Sequence, residues 1–229
     1  MKLPAPPFGA RRLLLVGTGA ISIVQLPFWL NWLGTTYPDL EVQVVLTRSG
    51  ERFVSRHAIS ALTRLVPLDD RWPEEPQVDA IHVRLAEWAD AVVVYPACLN
   101  FISRLAIGLA DTPALLALQC TTAAIGIAPS LPPGAEQNPA VAGNLRQLAE
   151  RRNVVVAETQ PARSLTTGRR DAAGAAATSV FTAPSKSSIP CKKPRSLKKP
   201  WSTATSKQRF DFELNNRFRR YCFMNRGFF

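Results

Sequence analysis

His82–Asp111 reads HVRLAEWADAVVVYPACLNFISRLAIGLAD and combines the patterns of a helix, a strand and a second helix. Leu85 and Trp88 share one side of a short predicted helix that ends at Asp90. The next five residues, 91–95 (AVVVY), form an apolar run rich in β-branched side chains. Such a run is typical of a strand that is buried on both faces of a parallel sheet.

A loop follows this strand at residues 96–100 (PACLN), and the second helix is predicted to start near Phe101. Open α/β sheets bind their ligands in such loops, at the carboxyl ends of parallel strands. The first N–H groups of the following helix lack partners within the helix and favour anions. The segment therefore predicts a site for an anionic cofactor.

Strand and helix patterns alternate through the rest of the chain up to about residue 156. Predicted strands cover residues 12–16, 42–47, 115–120, 125–128 and 154–156. Predicted helices cover residues 21–33, 58–65 and 140–152, and residues 66–80 have the composition of a surface loop. The alternation predicts a three-layer α/β fold around a parallel sheet. We expect an N-terminal arm at residues 1–10, one domain at residues 11–174 and a basic, disordered tail at residues 175–229.

The positive charge of the chain is confined to its C-terminal part. Residues 1–160 contain 13 Lys and Arg against 14 Asp and Glu, a net charge of −1, and residues 161–229 contain 15 against 3, a net charge of +12. The predicted domain therefore lacks the basic surface of a nucleic-acid-binding domain, and nucleic acid is excluded as its main partner. The four cysteines lie far apart and only two histidines are present, which argues against a disulfide framework and a metal site. Cys120 is expected to be a small buried residue.

The apolar stretch at residues 13–33 contains the turn GTGAI at residues 17–21. Its glycine and polar residues interrupt the apolar character that a membrane span needs, and no cleavage site is evident. We therefore expect a cytoplasmic protein without a membrane partner. Glycine lets backbone N–H groups approach a phosphate at the start of a helix. A plain strand-to-helix turn explains the pattern equally well, because Ser22 and Ile23 stand where a dinucleotide fingerprint has its last glycine.

The opening segment resembles the flavin-dependent cysteine decarboxylases. In that family a histidine opens the helix, a strand follows, and a loop of Pro-Ala-Ser-Ala-Asn-Thr type contacts the flavin. His82 and residues 96–101 (PACLNF) stand in these places, and residues 108–111 (GLAD) are similar to the family's Gly-Ile-x-Asp motif. The resemblance covers roughly residues 12–170 and implies a Rossmann-like, flavodoxin-like parallel sheet.

The resemblance also implies roles for individual residues. His82 is the implied catalytic residue that handles the proton, and Asn100 is implied to position the flavin or the substrate. The implied cofactor is FMN, with FAD as the alternative. The implied flavin contacts are Thr18, Gly19, Ala20, Ile21, Thr47, Ser49, Phe53, Cys98, Leu99, Phe101 and Ser130.

Two later segments indicate a branch of the family. Residues 129–148 resemble the family's substrate-binding segment, with Pro132 in the place of its asparagine. Residues 164–169 (SLTTGR) resemble a flap over the peptide substrate in the lantibiotic branch, which implies substrate contacts for Thr167 and Arg169.

The cysteine spacing favours the same branch. The phosphopantothenoylcysteine branch carries a catalytic cysteine in this region, whereas no cysteine lies between Cys120 and Cys191 here. The implied activity is oxidative decarboxylation of the C-terminal cysteine of a ribosomally made precursor peptide, for an aminovinyl-cysteine ring. Two alternatives stay open, namely phosphopantothenoylcysteine decarboxylation in coenzyme A synthesis and a flavin-binding subunit without catalysis. Relatives form trimers, often within dodecamers, so a homo-oligomer is expected.

Overall fold

The computed structural model describes residues 8–164 and 167–175, all of which belong to one compact unit, Met1–Lys198. A mostly parallel sheet of eight strands forms its centre. The strands are β1 (Arg12–Gly17), β2 (Glu41–Leu46), β3 (Leu68–Asp69), β4 (Ala91–Cys98), β5 (Ala124–Leu131), β6 (Val154–Val156), β7 (Gln160–Ala162) and β8 (Ala172–Gly174). The tail expected from residue 175 onward lies outside the described residues, apart from its first residue.

The strand order is β3-β2-β1-β4-β5, and β6 pairs in parallel with the first half of β5. This is the order of a doubly wound Rossmann sheet, in which the chain moves outward from β1 first to one side and then to the other. The register pairs Val16 of β1 with Val45 of β2 and with Val94 of β4. The predicted Rossmann-like parallel sheet is confirmed.

In the part of the chain that the structure describes, six α-helices cover the two faces of the sheet. They are α1 (Leu26–Thr36), α2 (Arg56–Thr63), α3 (Ile81–Trp88), α4 (Leu99–Ala106), α5 (Pro113–Cys120) and α6 (Pro139–Glu150). The first two pack against each other, α3 packs against α5, and α4 packs against α5 and α6. Leu13, Leu14, Leu15 and Val16 are all buried, so β1 is covered on both faces. Apolar burial on two faces gives the three layers that the sequence predicts.

An ion pair joins the amino ends of the two central strands. Arg12 contacts Asp90 with its guanidinium Nη2 at 2.8 Å from Oδ1, and the same carboxylate accepts the backbone N–H of Arg12 at 3.0 Å. The N–H of Asp90 in turn donates to the carbonyl of Arg12. These bonds fix the register of β1 against β4, and with it the relative position of the loops at the other ends of the two strands.

The prediction of a strand at residues 115–120 is wrong, because these residues lie in helix α5. Thr112 caps this helix by accepting the N–H of Leu115, and Pro113 occupies its first turn. Both features favour a helix start, and the Leu- and Ala-rich run contains no β-branched residue. Cys120 is exposed at the end of α5, so its predicted burial is also wrong.

Three short strands do not follow from the sequence pattern. The two residues of β3 lie within the predicted surface loop at residues 66–80. The other two, β7 and β8, form an antiparallel hairpin that pairs with Ser130 and Leu131 at the end of β5. The sheet is therefore mixed rather than wholly parallel. Among the described residues, no helix is both long and apolar enough to cross a membrane.

Candidate active site

The loops that follow β1 and β4 lie side by side at the carboxyl edge of the sheet. The chain runs from β1 to β2 on one side and from β4 to β5 on the other, so the strand order reverses between β1 and β4. At such a reversal the two loops diverge and leave a crevice, which is the usual ligand site of doubly wound sheets. We call this position the switch-point crevice.

Thr18 ties these two loops together. Its side chain is fully buried, and Oγ1 donates to the carbonyl of Pro96 at 2.5 Å. The same oxygen accepts the N–H of Cys98 at 2.8 Å. The hydroxyl of Thr18 is therefore already bonded within the protein. A contact between Thr18 and the cofactor stays a prediction, and it would involve the backbone of this turn.

The turn after β2 packs directly against the turn after β1. A Cβ added to Gly19 would lie 2.4 Å from Cβ of Ser49, so only glycine allows this approach. Thr47 accepts the N–H of Gly50 with Oγ1, whereas Ser49 is exposed. Ser49 therefore lies at the surface beside the crevice. Phe53, four residues later, has a partly exposed ring.

The end of β5 forms the third side of the crevice. Ser130 is paired with Cys98 across the sheet, and its Oγ lies 3.0 Å from Oγ of Ser22. Ser22 belongs to a 3-10 turn, Ile21–Gln25, which starts directly after Ala20. The structure thus brings the predicted flavin contacts in the loops after β1, β4 and β5 to one place.

Helix α4 starts in the crevice. Cys98 is its N-cap residue but makes no side-chain cap, so within the described residues the first N–H groups of the helix have no side-chain acceptor. Asn100 is exposed in the first turn, and its side-chain amide has no hydrogen-bond partner among the residues that the structure describes, whereas Phe101 is buried in the protein interior. Unsatisfied N–H groups, an exposed amide and the nearby hydroxyl of Ser49 fit the anionic phosphate of a flavin.

His82 lies in the first turn of α3, and the crossover from β3 to β4 places that turn at the same edge of the sheet. Its Nδ1 atom is buried without a hydrogen-bond partner. Its ring packs against the ring of Trp72 at 73°, with the ring centres 5.7 Å apart. The sequence gives no reason to single out Trp72 beyond its unusual place in an acidic, proline-rich loop. The other histidine, His57, is exposed on α2.

The residues predicted to contact the substrate lie in two turns. Pro132 is exposed just after β5, where its carbonyl accepts the N–H of Ala135. Thr167 and Arg169 are exposed in the turn between β7 and β8, and the hydroxyl of Thr167 donates to the carboxylate of Asp171. Because the hairpin pairs with the end of β5, these two turns lie at the carboxyl edge of the sheet.

A separate groove of about 450 Å³ lies between α6 and the ends of β5 and β6. Pro129, Leu145, Arg146, Ala149, Val156, Ala157, Glu158 and Thr159 line it, and it contains none of the predicted site residues. Within the described parts of the chain, no cluster of three or more His, Cys, Asp or Glu side chains is arranged to hold a metal ion.

Comparison with known proteins identifies the family of the chain. The flavoprotein family matches residues 7–182 of the chain. A cypemycin cysteine dehydrogenase (decarboxylating) from a Streptomyces species is 34% identical over 137 residues, which cover 60% of this chain and 70% of that protein. The coenzyme A biosynthesis bifunctional protein CoaBC of Bacillus subtilis (strain 168) is 33% identical over 138 residues, but these cover only 34% of that protein.

A solved structure is similar over most of its length. The FMN-dependent cysteine decarboxylase SpaF superposes with a TM-score of 0.63 at 26% identity, and the match covers 76% of this chain and 96% of that chain. The family match spans most of the sequence and includes every residue assigned to the switch-point crevice. The chain therefore belongs to the flavoprotein family, as one of its flavin-dependent cysteine decarboxylases.

Proposed function

We propose that this chain catalyses the oxidative decarboxylation of the C-terminal cysteine of a precursor peptide, with FMN bound in the switch-point crevice. The observation that carries the proposal is the convergence of four features on one sheet edge. These are the turn at Gly19, the turn at Ser49 that packs against it, the start of α4 without a side-chain cap, and His82 at the start of α3. The similarity to cypemycin cysteine dehydrogenase supports a peptide as the substrate.

The reaction is an oxidation followed by loss of carbon dioxide. FMN supplies the acceptor for a hydride and its two electrons. The substrate cysteine gives up that hydride from Cβ and a proton from its thiol, and its side chain becomes a thioaldehyde. The C=S group withdraws electrons from Cα, so the bond to the carboxylate breaks, carbon dioxide leaves and an enethiol remains.

The side chains at the crevice have separate tasks in this reaction. The free N–H groups at the start of α4, with Ser49, bind the phosphate of the cofactor. The exposed amide of Asn100 orients the flavin or the substrate, and His82 accepts and returns a proton. Thr167 and Arg169 contact the peptide from the β7–β8 turn. Pro132 lies beside the bound peptide but has no hydrogen-bond donor.

The product fits a step in the maturation of a lantibiotic-type peptide. An enethiol at the end of a peptide is a nucleophile, and it can be captured in an aminovinyl-cysteine ring. Because the precursor is made on ribosomes, we infer that the reaction takes place in the cytoplasm.

A second candidate function is phosphopantothenoylcysteine decarboxylation. The similarity to the Bacillus subtilis coenzyme A protein favours it, although this chain spans about a third of that protein. The absence of a cysteine between Cys120 and Cys191 argues against it. That reaction has to reduce the enethiol again, which needs the hydride held by the reduced flavin and an acid that supplies a proton.

Mass spectrometry of one peptide series separates these functions. The purified chain with FMN is incubated with a peptide ending in cysteine, with the same peptide carrying a C-terminal amide, and with phosphopantothenoylcysteine. We expect loss of carbon dioxide and two hydrogens from the first peptide alone. Turnover of phosphopantothenoylcysteine alone would favour the second function, and no turnover despite bound flavin would leave a flavin-binding subunit without catalysis.

A further inference from the structure

The loop between β3 and α3 is fastened at two points to the segment that precedes α5. Asp70 accepts the N–H of Ala114 at 2.8 Å with Oδ1. Two residues later, Nε1 of Trp72 donates to the carbonyl of Asp111 at 2.8 Å. Asp111 also pairs through its carboxylate with Arg104 of α4. The indole of Trp72 is therefore bonded to the segment that connects α4 with α5.

The ring of His82 rests against this fixed indole. The two ring planes meet at 73° with centres 5.7 Å apart, which is an edge-to-face arrangement. A hydrogen bond at one ring nitrogen usually sets the orientation of a functional histidine. Here Nδ1 is buried without a partner, and the imidazole makes no hydrogen bond to the part of the chain that the structure describes. The ring contact with Trp72 is therefore the interaction that can orient the imidazole.

We propose that Trp72 positions His82, because the edge-to-face contact between the two rings sets the orientation of the imidazole. The inference rests on the proposed function only for the role of His82 in proton transfer. Aromatic contacts of this kind favour one arrangement by about twofold to tenfold. The bond from Nε1 of Trp72 to Asp111 favours one orientation of the indole, although the residue is 43% exposed.

Three variants separate the parts of this arrangement. Trp72→Ala removes both the ring contact and the bond to Asp111. Trp72→Phe keeps an aromatic ring against His82 but removes the N–H donor. Val78→Ala is the control, because Val78 lies in the same loop with a fully exposed side chain.

The first readout does not depend on activity. The full chain with ¹³C-labelled histidine gives only two imidazole signals, because His57 and His82 are the two histidines of the sequence. We expect the His82 signal to shift and broaden in Trp72→Ala, to change less in Trp72→Phe and to stay unchanged in Val78→Ala. An unchanged far-ultraviolet circular dichroism spectrum shows that the variants are folded. A His82 signal that is the same in all three variants would overturn the proposal.

The second readout is turnover of a cysteine-ending peptide by the chain with FMN. Because misplacing a catalytic group slows the chemical step, we expect Trp72→Ala to lower kcat by about tenfold or more, with KM changed less. Trp72→Phe should recover most of this loss. Equal kcat values for Trp72→Ala and the unchanged chain would overturn the proposal. If the unchanged chain does not act on the peptide, the proposed function fails, and the imidazole signals still decide whether Trp72 positions His82.

Discussion

A single hydroxyl decides how the two loops of the switch-point crevice are joined. Oγ1 of Thr18 donates to the carbonyl of Pro96 and accepts the N–H of Cys98, and its side chain is fully buried. A buried backbone group that loses its partner costs about 1–3 kcal/mol. Thr18 therefore contributes to the shape of the crevice before any ligand is bound.

Substitution of Thr18 tests this role with a matched pair. Thr18→Val keeps the shape of the side chain but leaves both backbone groups without a partner, so we expect the free energy of unfolding to fall by about 2 kcal/mol or more. Thr18→Ser keeps the hydroxyl and loses one methyl group, so we expect a loss of about 1 kcal/mol. Urea unfolding measures both values. Equal losses for the two variants would show that the hydroxyl has no special part.

At His82 the expected effect is on chemistry rather than on binding. His82→Asn removes the imidazole but keeps a small polar side chain in the first turn of α3. We expect turnover of a cysteine-ending peptide to fall at least about a hundredfold, the usual range for a lost general acid or base. The visible spectrum of bound flavin should stay the same. A fully active variant would contradict the role proposed for His82.

For the residues of the site, the sequence predicts their position at the ends of strands but not their side-chain contacts. Thr18, Ser49 and Cys98 each come just after a predicted strand, so their convergence at one sheet edge is predictable. The use of the Thr18 hydroxyl by Pro96 and Cys98 is not, because it depends on the distance between two loops about 80 residues apart in the sequence. The contact between Trp72 and His82 depends in the same way on how a long loop folds back.

Among the elements, helix α5 is held at its start by a buried carboxylate. Asp70 is 5% exposed and accepts the N–H of Ala114, while a hydrogen bond from Thr112 also reaches its carboxylate. Burial raises the pKa of Asp70 above its ordinary value of 3.8, and the bonds from Ala114 and Thr112 oppose this rise only in part. The folded chain therefore holds a proton on Asp70 more tightly than the unfolded chain does.

This pKa shift gives a pH dependence of known sign. The free energy of unfolding falls as the pH rises from about 3.8 through the raised pKa of Asp70, because the folded chain releases this proton at a higher pH than the unfolded chain does. Asp70→Asn keeps an oxygen acceptor without the charge, so we expect a higher Tm than that of the unchanged chain at neutral pH and an equal Tm below that window. Asp70→Ala loses the acceptor and should cost about 1–3 kcal/mol at both pH values. Thermal unfolding at two pH values measures this, and a lower Tm for Asp70→Asn at neutral pH would contradict the account.

Some helices and strands are predicted by the pattern of their own residues, and others are not. The β-branched run of β4 and the amphipathic spacing of α6 predict their own structure. The apolar run of α5 was predicted as a strand, and this prediction is wrong because the Thr-Pro start at Thr112 and Pro113 favours the helix that the structure contains. Strands β7 and β8 have no such pattern, because pairing with the end of β5 defines them.

At the scale of the whole molecule, an apolar stripe lies exposed around the start of α1. Ile21, Val24 and Phe28 follow one another at helical spacing, and their side chains are 44%, 52% and 64% exposed. Large apolar side chains grouped on one surface usually mark a contact with another chain. Because Ile21 is also a predicted flavin contact, we propose that the chain forms a homo-oligomer through this face.

A charge placed on this stripe tests the assembly. Phe28→Asp puts a carboxylate at its most exposed position, and we expect the molar mass in solution to fall towards that of a single chain, 25.1 kDa. Light scattering after gel filtration measures the mass. Val78→Asp, a fully exposed position in another loop, is the control and should leave the mass unchanged. A single-chain mass for the unchanged protein would contradict the proposed homo-oligomer.

The visible absorption spectrum of the purified full chain, with mass identification of the molecule that heat releases from it, tests the central claim most directly. The switch-point crevice, with its uncapped start of α4 and its crowded turns at Gly19 and Ser49, predicts a flavin spectrum and the release of FMN. A colourless protein that takes up neither FMN nor FAD when these are added would contradict the proposed site and the reaction derived from it.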